Sequence, residues 1–186
     1  IYVANDSVPN FLWRNKGNGT FEEIGFEAGC AVSADGRAQS SMGIAVGDYN
    51  NDGWLDLLVT NFAEDYNTLY RNTRGQFEDV TYEAGLGTAS YSQLGWGTGF
   101  VDFDNDGWKE LFVANGHIYP KLEQTRNTYR QDNQLFQNLR NGRFALMPNQ
   151  ESGFTERRSS RSAAFGDLAG GGRMGIVVNN IDEEPF

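Results

Sequence analysis

The 186-residue sequence predicts an all-β fold: part of a β-propeller whose blades are four antiparallel strands. Two observations lead there. The first is an internal repeat. Residues 43–61 (GIAVGDYNNDGWLDLLVTN), 97–115 (GTGFVDFDNDGWKELFVAN) and 162–180 (SAAFGDLAGGGRMGIVVNN) align with Asp48, Asp102 and Asp167 in register, at spacings of 102 − 48 = 54 and 167 − 102 = 65 residues. The second is the character of the apolar runs. They are short, rich in β-branched and aromatic residues, and bounded by Gly, Asn and Asp, which favours strands and tight turns. Neither a helical period nor the leucine spacing of a solenoid is present.

Taken in chain order, the first five residues (IYVAN) match the ends of the repeated segments, so residues 1–36 read as the end of a blade. Its remaining strands are NFLWRN at 10–15 and, after a turn, the FEEI of residues 17–24 (GNGTFEEI). Residues 37–90 read as a complete blade. Apolar runs at 43–46 and 55–60 flank an acidic loop, and runs at 69–71 and 77–81 follow. Residues 91–155 read as a second complete blade with its own acidic loop. Here the connection between second and third strands stretches from Asn115 to Asn133, against Asn61 to Asn67 in the preceding unit. Residues 156–186 read as the start of a blade with a degenerate loop. Asn-Gly pairs at 18–19 and 141–142 stand where a tight hairpin turn needs positive φ. Propellers close with about 4–8 blades. About three blades' worth therefore predicts a piece of a larger ring.

Charge narrows the function. The formal net charge is −10, which opposes nucleic acid and anionic membrane surfaces. No apolar run approaches the roughly 20 residues of a spanning helix. The single cysteine, Cys30, excludes an internal disulfide framework and is expected to be a small buried residue.

The acidity is concentrated in the loops. Asp48-Tyr-Asn50-Asn-Asp52-Gly-Trp54-Leu-Asp56 and Asp102-Phe-Asp104-Asn-Asp106-Gly-Trp108-Lys-Glu110 both fit D-x-[DN]-x-D-G-x-x-[DE]. A hard cation such as Ca²⁺ takes six to eight oxygens at about 2.3–2.6 Å. Positions 1, 3 and 5 of a tight loop supply side chains, Gly at position 6 allows the sharp turn, position 7 offers a backbone carbonyl, and position 9 closes the shell. The expected metal ligands are thus Asp48, Asn50, Asp52, Trp54 (carbonyl) and Asp56 at one Ca²⁺ site, and Asp102, Asp104, Asp106, Trp108 (carbonyl) and Glu110 at a second. An EF-hand would need Glu at position 12, where Val59 and Val113 stand. The third copy keeps only Asp167 and places Arg173 nearby, so no Ca²⁺ is expected there, only a hairpin held by backbone bonds.

These residues resemble the FG-GAP/VCBS repeats of integrin-α-like β-propellers. The pattern is most similar to proteins that join such repeats to an ASPIC/UnbV domain, the cartilage acidic protein type. The resemblance rests on GDYNNDGWLDLLVTN, NTLYRN, GWGTGFVDFDNDGW with NGHIYP after it, and SRSAAFGDL ahead of IVVNN. It implies a seven-bladed, Ca²⁺-stabilised propeller that is extracellular, secreted or cell-surface, with the periplasm as the bacterial counterpart. The implied role is a structural, adhesion or interaction module without catalytic residues. Its partners would be a protein or glycan at the surface, other copies, or the rest of the propeller. Alternative readings are a carbohydrate-binding, lectin-like propeller, a subunit of an extracellular fibre, and the non-catalytic part of a secreted hydrolase or lyase.

Other residues are weighed more briefly. The long insert carries His117, Tyr119, Lys121, Arg126, Tyr129 and Arg130, a set able to meet an acidic or sugar ligand. His117, the sole histidine, is expected to be a hydrogen-bonded structural residue. Arg157, Arg158 and Arg161 are expected to pair with neighbouring carboxylates. The Trp and Phe residues are expected mostly between blades.

Overall fold

The computed structural model describes residues 1–120 and 127–181. Four antiparallel sheets follow one another along the chain. The first holds β1 (Tyr2–Val3), β2 (Phe11–Asn15) and β3 (Phe21–Glu23). The second holds β4 (Ser41–Gly47), β5 (Asp56–Asn61), β6 (Thr68–Thr73) and β7 (Gln76–Asp79) in meander order. The third repeats this with β8 (Gly95–Val101), β9 (Glu110–Asn115), β10 (Gln134–Asn138) and β11 (Phe144–Leu146). The last pairs β12 (Ser160–Gly166) with β13 (Gly175–Asn180). The molecule is all-β and forms part of a propeller.

Strands β5 and β9 explain why the sheets stack face to face. Successive side chains of a strand point to opposite faces. Leu57 and Val59 of β5 enter one core with Ile24, Cys30 and Tyr70, while Leu58 enters the next with Leu111, Val113 and Phe136. On β9, Leu111 and Val113 face back to that core, and Phe112 and Ala114 face forward to Val178. Every residue of β5 and β9 is buried. A strand covered on both faces needs no polar alternation, hence the unbroken apolar runs.

The inner strands come closest. Each of β4, β8 and β12 carries a one-residue irregularity near its start, between Ser41 and Ile44, Gly95 and Thr98, and Ser160 and Ser162. At the first of these, a Cβ on Gly43 would lie 1.9 Å from the carbonyl oxygen of Trp96 on β8. Thr60 Oγ1 sits in the same contact, accepting from Gly43 N (2.8 Å) and donating to Trp96 O (2.8 Å).

Three features depart from the expectations above. Single helical turns, α1 (Gly25–Ala28), α2 (Gly87–Ser90) and α3 (Asn149–Ser152), occur near the unit ends. In α1 the Glu-Ala-Gly motif forms a helix stop: Cys30 N–H reaches back to Gly25 O (3.0 Å), a Schellman-type bond. None of the four tryptophans is buried, because Trp54 and Trp108 stand in the acidic loops and Trp96 lies on an inner strand. Arg161 pairs with no carboxylate among the described residues. It lies 4.5 Å over the Trp96 ring and donates to Gly116, His117 and Ser160 carbonyls, because its strand runs past carbonyl-rich turns. Arg157 and Arg158 do pair, with Asp132 and Glu156.

Candidate metal centre

Each acidic loop hangs from a hairpin whose second residue is an anchor. Tyr49, buried, packs against Phe144 (5.5 Å between ring centres) and Phe100 (6.2 Å). Phe103 packs on the next core in the same way. With position 2 pinned, the opening Asp gathers the turn. Asp48 accepts the amides of Asp52 (3.1 Å) and Gly53 (2.9 Å), and Asp102 accepts those of Asp106 (3.1 Å) and Gly107 (2.9 Å). Position 3 accepts the position 5 amide: Asn50 Oδ1 from Asp52 N (3.1 Å) and Asp104 Oδ1 from Asp106 N (3.2 Å). Position 5 accepts the amide of Trp54 (2.9 Å) or Trp108 (2.8 Å), so the same turn orients the position 7 peptide. Left-handed residues bend the chain at Asn51 and Gly53 (φ 58° and 89°) and at Asn105 and Gly107 (φ 60° and 88°).

In the second loop this folding brings Asp102, Asp104 and Asp106 together, with a carboxylate oxygen of each within 4.8 Å of the others. Two oxygens bound to one Ca²⁺ lie at most about 5.2 Å apart. The spacing and the all-oxygen donor set therefore fit a hard cation. Arg140 forms an ion pair with Asp106 at the edge of this cluster. In the first loop, Asn50 replaces one carboxylate, and its Nδ2 donates to Asp52 Oδ2 (3.0 Å). That loop is thus partly satisfied by its own amide.

Position 9 is placed differently. Asp56 is 0% exposed and lies beneath its loop, accepting from Tyr49 N (3.2 Å) and Asn72 N (2.8 Å). Burial pushes its carboxyl up to about 6 against the pull of these two amides, with the charges of Asp52 and Asp48 adding to the rise. Glu110 accepts from Phe103 N (3.1 Å), and burial likewise raises it. Both side chains brace the hairpin from below, a role the spacing alone does not reveal.

The third loop keeps its shape without the acids. Asp167 accepts from Gly171 (3.1 Å) and Gly172 (2.7 Å), and these amides hold its carboxyl below the usual range. The expectation of backbone bonds alone is corrected: one carboxylate still closes the turn, because two converging amides need an acceptor. The loops also touch in series. Asn51 Nδ2 donates to Gly107 O (3.0 Å), Asn105 Nδ2 to Gly172 O (3.2 Å), and Lys109 Nζ to Asp48 O (3.3 Å). Position 4 is not a ligand position, so ligand spacing passes over these two asparagines.

The model of the FG-GAP-like repeat matches residues 1–59 and 48–113. The chain belongs to the FG-GAP-like repeat family. The two matched FG-GAP-like stretches overlap across the first acidic loop, and the second runs through the other. Cartilage acidic protein 1 of Xenopus tropicalis is 33% identical over 119 residues, covering 62% of this chain and 17% of that protein. The proteins of the same name from Mus musculus and Homo sapiens are 31% identical over 118 and 120 residues, with the same coverage. The FG-GAP-like chain thus spans 17% of the length of the curated relatives it matches.

The remaining candidates sit apart from the loops. His117 is buried, and its Nδ1 accepts the Tyr119 amide (3.1 Å) while Phe62 packs edge-on at 5.5 Å. Burial, with Arg161 adding, lowers its pKa. Cys30 is fully buried, and burial pushes its thiol up to about 12, so it is a poor nucleophile at neutral pH. Lys121 and Arg126 lie outside the described residues. No helix among the described residues is long and apolar enough to cross a membrane.

Proposed function

We propose that this FG-GAP-like segment is a calcium-stabilised, extracellular structural or interaction module without catalytic activity of its own. The carrying observation is the convergence of Asp102, Asp104 and Asp106, with oxygens within 4.8 Å of one another. Three carboxylates at that distance repel, and one Arg140 guanidinium offsets only part of the charge. A divalent cation would relieve the rest. Asp48, Asn50, Asp52 and the Trp54 carbonyl would hold a second ion, and Asp56 and Glu110 would complete the two shells while bracing the hairpins. Bound calcium supplies a rigid cross-link within each loop. The surface above the loops would then present a fixed shape to a protein or glycan partner, or to neighbouring blades.

The test is a thermal melt in calcium and in excess chelator, with a calcium titration of the same chain. Binding to the folded state alone adds about 2.7 kcal/mol per site at a hundredfold excess over Kd. For this chain length that is about 5–10 °C in Tm. Asp104→Asn should weaken the second site and leave the first intact. Superimposable melts with and without chelator, together with no titratable metal, would reject the reading.

A further inference from the structure

Asparagine followed by glycine carries a reaction of its own. The peptide nitrogen of the glycine attacks the side-chain amide carbon, because no Cβ shields the approach. A five-membered succinimide forms, the Cγ–Nδ2 bond breaks and ammonia leaves. Water then opens either carbonyl of the ring. The product is aspartate, or isoaspartate, whose main chain runs through the side-chain carbon. Water enters, ammonia leaves, and nothing is oxidised or reduced. The chain holds three Asn-Gly pairs, at 18–19, 115–116 and 141–142. The fold sets them in two opposite environments.

Two of the pairs occupy the β2–β3 and β10–β11 turns, and these turns share their hydrogen bonds. Lys16 N–H donates to Thr20 O (3.0 Å), as Leu139 N–H does to Arg143 O (2.9 Å). The second residue of each turn is left-handed, Gly17 (φ 76°) and Arg140 (φ 60°). It donates its amide to Asn15 Oδ1 (2.8 Å) or Asn138 Oδ1 (2.9 Å). Asn18 Oδ1 accepts from Thr20 N (3.1 Å) and Thr20 Oγ1 (2.6 Å), and Asn141 Oδ1 accepts from Arg143 N (3.2 Å). These bonds fold each side-chain amide back along its own turn and draw electron density from Cγ. Gly19 N–H and Gly142 N–H donate no hydrogen bond among the described residues. Both asparagines are exposed, and a Cβ built on either glycine would meet nothing within 4 Å. Ring closure at these turns therefore faces neither a bonded nucleophile nor a crowded one.

The third pair is the same dipeptide held fast. Asn115 is 0% exposed at the end of β9. Its Nδ2, the leaving group, donates to Asp132 O (2.9 Å) and Gln134 Oε1 (3.3 Å). Gly116 N–H, the nucleophile, is committed to Leu94 O (3.1 Å). A Cβ on Gly116 would lie 2.6 Å from Ser160 N, so the backbone there has no room to turn. Reaction at this pair requires local opening. We propose that Asn18 and Asn141 are self-modifying sites that convert to aspartate and isoaspartate in the folded chain, while the fold shields Asn115. Each conversion adds one negative charge, so the pair takes the chain from −10 to −10 − 2 = −12. The isoaspartyl form also lengthens the main chain by a methylene inside a turn closed by a single backbone bond. At residue 141 the new charge adjoins Arg140, the partner of Asp106, so ageing there reaches the edge of the acidic cluster. The reaction itself does not depend on what the acidic loops bind.

Incubation of the native chain at pH 7 and pH 8, followed by peptide mapping with mass spectrometry and an isoaspartyl methylation assay, tests it. Asn18 and Asn141 should gain the amide-to-acid mass shift, faster at the higher pH because the attacking nitrogen must lose its proton. Asn115 should lag by about tenfold or more, the factor that a local opening cost of about 1.4 kcal/mol imposes. In denaturing guanidinium chloride all three should react alike. Asn141→Gln, whose ring would need six members, should silence that site and leave Asn18 unchanged. If that variant fails to fold, the kinetics of the native chain decide. Any of three results overturns the proposal. The first is Asn18 or Asn141 reacting no faster than Asn15, which is also exposed but precedes lysine. The second is Asn115 keeping pace with them in the native chain, or lagging equally in denaturant. The third is a folded Asn141→Gln chain that accumulates isoaspartate in residues 139–143 as before.

Discussion

Asp56 makes the contrast between ligand spacing and local bracing concrete. Its carboxylate stands at position 9 of a metal-ligand pattern, yet both oxygens accept buried backbone amides. Asp56→Ala would strand the Tyr49 and Asn72 amides, at about 1–3 kcal/mol each. Denaturant unfolding in chelator should therefore still show a loss of about 2–6 kcal/mol, a cost separate from any metal. His117 carries a pH signature. Its folded pKa lies below the ordinary 6.5 because the imidazolium is poorly tolerated where it is buried. The stability it contributes is fully present above about 6.5 and is lost as pH falls through the lower folded value. The stability advantage of the native chain over His117→Gln should shrink between pH 7.5 and 5.5, measured by urea titration at both. The residues that ligand spacing picks out, Asp102, Asp104 and Asp106, are the ones the fold brings together. What spacing misses are contacts distant in sequence: Arg140 from the β10–β11 turn of the same sheet, and the reach of the position 4 asparagines to the next loop, which no local pattern encodes.

At the scale of elements, the strands are legible because a short apolar run between turn residues has few other solutions. The runs read at 43–46, 55–60, 69–71 and 77–81 correspond to β4 to β7 with end shifts of one or two residues. The single helical turns are less legible, since four residues carry too little periodicity to register. For α1 and α3 the signal is the Gly that ends Glu27-Ala28-Gly29 and Glu151-Ser152-Gly153, left-handed in both; α2 ends at a right-handed Tyr91 and has no such mark. The unpaired setting of Arg161 is invisible in sequence, because its partners are carbonyls. The β4–β8 contact yields a sharp prediction. Gly43→Ala would set a methyl 1.9 Å from the Trp96 carbonyl and force the inner strands apart. Overpacking of this kind costs about 1–3 kcal/mol, so Tm should drop by about 2–12 °C. Gly36→Ala, at a turn with open space around its Cβ but a positive φ, should cost only its backbone strain of about 1–2 kcal/mol. A Gly43→Ala melt indistinguishable from the native one would show that the strands can separate freely.

Across the whole molecule, each sheet contacts chiefly its neighbours, as in other repeat architectures. β5 and β9 are covered on both faces, whereas β13 buries Val178 on one side and leaves Val177 exposed on the other. Amide hydrogen exchange should therefore be slowest in β5 and β9, and fastest in β12 and β13 and in the first sheet. Uniform protection across all four sheets would instead mark a single cooperative unit. The same nearest-neighbour arrangement governs the loop face, where Asn51 reaches Gly107 O and Asn105 reaches Gly172 O. The third loop, which has lost its ligands, still supplies the last acceptor in that chain. It works as an abutment: a turn closed by a single carboxylate, against which the acid-rich loop beside it leans. Damage to Gly172 or Asp167 would then be felt first at Asn105, inside the second loop, where the acids converge.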